Sequence, residues 1–149
     1  SIPDENAPYL CPSQYVWYTA DSQAVAKSMA LCEGLETDME KVRAVYQYIT
    51  TAVLYDYIKA LTVQQQTGYL PDVDETLSAG LGICFDYAAL LACMLRVQGI
   101  PTQLVIGMVR DKVYHAWNRV LVDGEWQLLD ATFNDQGYKA SDYAQERRY

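Results

Sequence analysis

The chain has 149 residues, 51% of them hydrophobic, enough to bury a substantial core and most simply one domain spanning 1–149. A formal charge of -8 and a pI near 4.4 exclude the clustered Lys and Arg that bind nucleic acid or an anionic membrane surface. No run approaches the roughly 18 apolar residues of a membrane span, so no transmembrane segment is expected.

Residues 1–20 carry Pro3, Pro8 and Pro12 among Tyr9, Tyr15, Trp17 and Tyr18. That stretch is too broken for a helix and too aromatic for a solvated tail, and reads as an extended arm packed on the body. The first residue is not Met and no basic, then apolar, leader opens the chain; removal of a preceding segment is expected, with an extracellular or cell-envelope location and the cytoplasm left open. Cys11, Cys32, Cys84 and Cys93 form no CxxC pair, and their spacing suggests no metal site. After export Cys11 and Cys32 could join in a disulfide; equally, all four could be free thiols.

Asp21 is placed to cap a helix whose apolar positions are Val25, Met29 and Cys32 and which Gly34 ends. Thr37 and Glu40 then form a T-x-x-E capping box, and Val42, Val45, Tyr46, Ile49 and Val53 trace a helical stripe to about Leu54. From Tyr55-Asp56-Tyr57 the chain runs through Gln64-Gln65-Gln66-Thr67-Gly68 and Pro71 into acidic residues 72–75, the composition of an exposed loop. Ser78, Ala79, Gly80 and Gly82 mark backbone that passes close to something.

At Cys84 helical periodicity resumes in a long apolar run, and Gly99-Ile100-Pro101 stops it. Within that run Cys93 reads as a small core residue. Three strand-like runs follow, 102–109, 113–122 and 125–132, the last two joined by the hairpin signal Asp123-Gly124. Helices first and an antiparallel meander afterwards make an α+β chain. The tail 136–149 reads as a second packed arm or a frayed end, with no role in chemistry.

The chemistry gathers at three positions. The first turn of a helix offers unpaired N–H groups and partial positive charge, which favour a thiolate, and Cys84 is placed to receive them. His115 is the only histidine in the chain and so its only imidazole base. Asp130, set beside Leu128-Leu129, needs a partner if it is buried. Pairing around Asp123-Gly124 makes partners sum to about 247, which sets His115 opposite Thr132 and Asp130 diagonally on the same face. A slip of one residue would part them.

Gly82-Ile83-Cys84-Phe85-Asp86-Tyr87-Ala88, Arg96-Val97-Gln98-Gly99-Ile100-Pro101, His115-Ala116-Trp117-Asn118 and Asp130-Ala131-Thr132, in that order, resemble the transglutaminase-like core over about residues 45–135. The resemblance implies a papain-like fold, with Cys84 as nucleophile, His115 as base and Asp130 as orienting acid. It implies acyl transfer through a thioester on a peptide, protein or other amide-bearing substrate, as a peptidase, amidase or transglutaminase, without a cofactor. The Cys84 N–H would be one oxyanion donor; Tyr55 and Tyr57 are candidates for a second, and Trp117 for the cleft lining. Two other readings exist. One is a zinc site of Cys84, His115 and Asp130, which lacks a fourth ligand; the other is an inactive module that binds peptide or glycan in an aromatic cleft.

Overall fold

A computed structural model describes residues 5–63, 68–133 and 138–149. Among these, helices α1 (Gln23–Cys32), α2 (Asp38–Ala52), α3 (Tyr57–Val63), α4 (Val73–Ala79) and α5 (Cys84–Arg96) precede an antiparallel sheet. The sheet contains β3 (Thr102–Val109), β4 (Val113–Val122), β5 (Glu125–Leu129) and β6 (Tyr143–Arg148) in the order β5-β4-β3-β6. A short parallel pair, β1 (Leu54–Tyr55) with β2 (Leu81–Gly82), lies between the helices. The glutamine run 64–66 with Thr67, expected as loop, lies outside the described residues, as do Pro3 and Gln136.

The core is built around α5. A helix apolar on every side has to be enclosed, and residues 88–95 of α5 are at most 2% exposed. The helix packs against α1, α2 and α4 on one side and β3 and β4 on the other. The N-terminal arm contributes Val16 and Tyr18 to the same core. Arg96, 2% exposed at the end of α5, donates to the carbonyls of Cys11, Thr102 and Tyr149, tying the N-terminal arm and the end of β6 to the helix. Burial pulls its pKa down to about 10.

Most helical ends follow local chemistry. The box at α2 forms as its sequence specifies: the Thr37 hydroxyl accepts from the Glu40 N–H, the Glu40 carboxylate accepts from the Thr37 N–H, and Val42, Val45 and Ile49 are buried. α1 differs from expectation. It starts after Ser22 rather than Asp21, and its buried face is Ala24, Ser28 and Cys32, leaving Met29 51% exposed. Its free N–H groups at Gln23 and Ala24 are capped from outside by the Asp74 carboxylate.

That contact explains a second departure. The acidic residues 72–75, expected as an exposed loop, open α4: Asp72 accepts from the Glu75 N–H as N-cap, and Asp74 reaches α1. All four cysteines are free, so the Cys11–Cys32 disulfide is not formed.

Strands β3 and β4 have the predicted bounds, and β5 ends at Leu129 instead of 132. Asp123 and Gly124 have φ of 53° and 80°, the two left-handed residues of a type I′ hairpin turn. The observed pairs, Val122 with Glu125 through Asn118 with Leu129, sum to 247 as predicted. The tail is a fourth strand rather than a packed or frayed arm, because β6 pairs with β3 and bulges between Ile106 and Gly107. A Cβ on Gly107 would lie 2.1 Å from the Ala144 carbonyl oxygen, so only glycine lets β6 approach there.

Candidate active site

Three elements converge at the first turn of α5. The extended N-cap residue Ile83 brings in the chain, and Gly82 leaves room for it: a Cβ there would lie 2.8 Å from the Asp86 Cβ. Cys84 is the first helical residue, 9% exposed, and opens onto a cleft of about 720 Å³. β4 brings in His115 and the chain just past β5 brings in Asp130, 2% and 8% exposed. The strands separate after Leu129, and that divergence lets the Asp130 side chain turn onto the histidine.

The His115 Nε2 and Asp130 Oδ2 lie 2.8 Å apart. Cys84 lies near enough to the imidazole for its side chain to favour the protonated ring. With Nε2 held by the carboxylate, Nδ1 is the nitrogen left for sulfur. Phe133 stacks on the imidazole at 4.2 Å between centroids and 16° between planes, fixing the ring from its face. Burial alone would push the His115 pKa down; the bonds and charges of Asp130 and Cys84 outweigh it and carry the group up to about 9.

Asp130 is itself held on several sides. Oδ1 accepts from the Thr132 and Phe133 N–H groups, and Oδ2 also accepts from the Tyr143 hydroxyl at 2.8 Å. Burial, then the bond to Asp130, keeps the Tyr143 phenol pKa far above its ordinary value, so this donor stays protonated. Tyr143 belongs to the tail to which the sequence assigned no role, and its polar surroundings carry no signal of one.

A second acid lies on the other side of Cys84. Asp86 is fully buried, and its carboxylate accepts from the Ile83 N–H at 2.9 Å, the Lys59 ammonium at 3.0 Å and the Tyr69 hydroxyl at 2.6 Å. It fastens α3 and the chain at Tyr69 to the turn that carries the cysteine. Sequence reading missed it because Ile83 cannot form a side-chain cap, and so no capping-box pattern marks the start of α5.

The remaining candidates separate. Tyr55 lines the cleft with Cys84, and burial, with a smaller contribution from the cysteine charge, pushes its phenol up to about 12. Tyr57 is 74% exposed, its ring against Tyr55 on the outside. Trp117 is 2% exposed and packs behind the site, 6.1 Å from the His115 ring and 5.0 Å from that of Tyr143. It faces a smaller cavity of about 280 Å³ shared with Trp126.

Known proteins resemble this chain in sequence and in fold. The chain is 30% identical over 129 residues to kyphoscoliosis peptidase of Homo sapiens, covering 75% of this chain and 19% of that protein. It is 28% identical over 122 residues to cytokinesis protein 3 of Schizosaccharomyces pombe, covering 75% of this chain and 13% of that protein. The chain thus spans about a fifth or less of the length of these curated relatives.

Among solved structures, a predicted cysteine protease from Cytophaga hutchinsonii superposes with a TM-score of 0.75 at 20% identity, over 99% of this chain and 48% of that one. The periplasmic domain of TgpA from Pseudomonas aeruginosa gives 0.63 at 19% identity, over 86% and 46%. These two likenesses establish the papain-like, transglutaminase-like fold. Residues 23–131 match the transglutaminase-like superfamily, and the chain belongs to it.

Proposed function

We propose that the chain is a single catalytic domain that transfers acyl groups from amide bonds through a thioester on Cys84. The observation that carries this reading is the buried His115–Asp130 pair at 2.8 Å, with a cysteine in the first turn of a helix near enough to favour the protonated imidazole and lining an open cleft. The Cys84 sulfur attacks the amide carbonyl while His115, held by Asp130, passes its proton to the departing amine. Water, or a second amine, then attacks the thioester with His115 as base. Water makes the protein a peptidase or amidase; an amine makes it a transglutaminase.

The tetrahedral oxyanion needs donors. The Cys84 N–H is one by position, and Tyr55, protonated to about pH 12 and lining the same cleft, is our choice for the second. Protein substrates fit the breadth of the cleft and the peptidase named among its relatives. Likeness to a periplasmic domain supports the envelope or extracellular reading, which cell fractionation tests; no described helix is long and apolar enough to cross a membrane.

The decisive experiment treats the protein with iodoacetamide at pH 6 and maps the adducts by mass spectrometry. Burial pushes Cys93 up to about 12 and raises Cys32 as well, so these two stay unreactive, and Cys84 is expected to outpace exposed Cys11. Labelling of Cys11 ahead of Cys84 would remove the nucleophile from the reading. Incubation with glutamine-containing peptides, with and without an amine, then divides hydrolysis from transfer by ammonia release and adduct mass.

A further inference from the structure

The wall of the cleft carries a charge pattern opposite to that of the whole chain. Against a net charge of -8, the charged residues lining the cleft are Lys112 and Arg147, and no carboxylate lines it among the described residues. Among the described residues neither cation takes part in an ion pair, whereas Arg110 is paired with Asp142 and Lys59 with Asp86. Lys112 stands in the turn between β3 and β4. Arg147 stands on β6 opposite Ile106, its guanidinium donating to the Tyr114 and Tyr149 hydroxyls, which hold it in place without neutralising it. The carboxylates adjacent in sequence, Asp111 and Glu146, do not line the cleft.

We infer that this wall recognises a carboxylate on the substrate: the cleft takes an acidic segment, with Glu or Asp flanking the amide that Cys84 attacks. The inference rests on the proposed role of Cys84 and adds the substrate's charge. An oriented guanidinium is a fork suited to a carboxylate, and the Lys112 ammonium in the same lining adds a second positive charge. The aromatic rings of Tyr69, Phe85 and Tyr114 supply the apolar remainder of the cleft. A nucleic-acid backbone would meet the same two cations but also the surrounding negative charge, which disfavours a polyanion.

Two reagents that differ by a carboxylate test this directly. Iodoacetate and iodoacetamide alkylate the same sulfur, and the ratio of their rates at Cys84 reports the charge the cleft welcomes. The His115 imidazolium contributes equally in every variant below. In K112E and in R147E, both exposed positions lining the same cleft as Cys84, the iodoacetate-to-iodoacetamide ratio is expected to fall about fivefold, the order of effect of reversing a unit charge in a solvated cleft. The double variant should multiply the two losses, and 1 M salt should shrink the difference. A ratio unchanged in both variants, with iodoacetamide still selecting Cys84, would overturn the acidic-substrate inference and leave acyl transfer standing. Failure of iodoacetamide to select Cys84 in the unmodified protein would overturn both.

Discussion

Removing the Asp86 carboxylate should loosen the cysteine turn and the wall of the cleft together. In D86A the Ile83 N–H, 2.9 Å from the carboxylate in the native protein, loses its acceptor inside the fold, at about 1 kcal/mol for a helix-start bond of this kind. The Tyr69 hydroxyl and the Lys59 ammonium lose a charged acceptor as well, together about 2 to 3 kcal/mol. Two effects reduce that sum. The Lys59 side chain is 32% exposed and can turn to water, and alanine relieves the burial of a carboxylate that is fully enclosed. The net expectation is a loss of about 2 to 3 kcal/mol, or about 5 to 10 °C in Tm for a chain of this length. Urea unfolding measures it, and the rate of Cys84 alkylation by iodoacetamide, followed alongside, should drop. A double-mutant cycle with K59M isolates the ion pair at about 1 kcal/mol. A loss below about 0.5 kcal/mol in D86A, with an unchanged urea slope, would refute the claim that this carboxylate anchors α3 to the turn.

Five further outcomes are expected. His115 has a folded pKa of about 9 against an ordinary 6.5, so the stability its charged form provides is fully present below pH 6.5 and lost as pH rises through 9; unfolding measured from pH 6 to 10 should show that decline in the native protein and a flatter profile in H115Q. The same titration sets an upper limit on activity, with Cys84 alkylation and turnover changing slope near pH 9. Y143F should lower turnover up to about tenfold and move that limb upward by a few tenths of a pH unit, since Asp130 loses a competing donor and presents more charge to His115; an unmoved limb would assign Tyr143 to packing alone. Y55F should reduce kcat by about a hundredfold with little change in KM if its hydroxyl meets the oxyanion, and by less than threefold if it only lines the cleft. G107A places a Cβ on the Ala144 carbonyl and should detach β6, seen as accelerated amide exchange in residues 143–148.

What could be read in the sequence depended on how local the cause was. The α2 cap, the glycine stop after α5 and the Asp123-Gly124 turn are each specified within a few residues; the turn fixes the β4–β5 register, but its pairing stops at Asn118 and Leu129, and Asp130 meets His115 past that point. The features that were missed depend on partners distant in the chain. Asp72 to Glu75 have the composition of a loop yet open a helix, capped locally by Asp72 and held by Asp74 at the open end of α1 some 50 residues earlier. The face of α1 was misplaced for a related reason: Ser28 turns inward to give its hydroxyl proton to the Met94 carbonyl on α5, and Met29 goes outward. Polar residues whose partners lie far along the chain leave no periodic trace. The charged tail conceals β6 in the same way, since an edge strand open to solvent has no apolar alternation to betray it.

The cost of that concealment falls on the site, because β6 carries both a donor to Asp130 and a cation of the cleft. Tyr143 at one end of the strand bonds Asp130, and Arg147 near the other end lines the cleft beside Cys84. Their spacing is set by the bulge between Ile106 and Gly107, which adds a residue to β6 over a length that β3 covers without one. Tyr143 and Arg147 are four apart and would share a face in a regular strand, but the extra residue breaks the alternation between them. One then turns behind the sheet to the carboxylate, and the other turns over it to the cleft. The glycine that admits the strand thereby links the orientation of the base to the charge of the wall, and a change at Gly107 should disturb both through a residue that touches neither Cys84 nor its substrate.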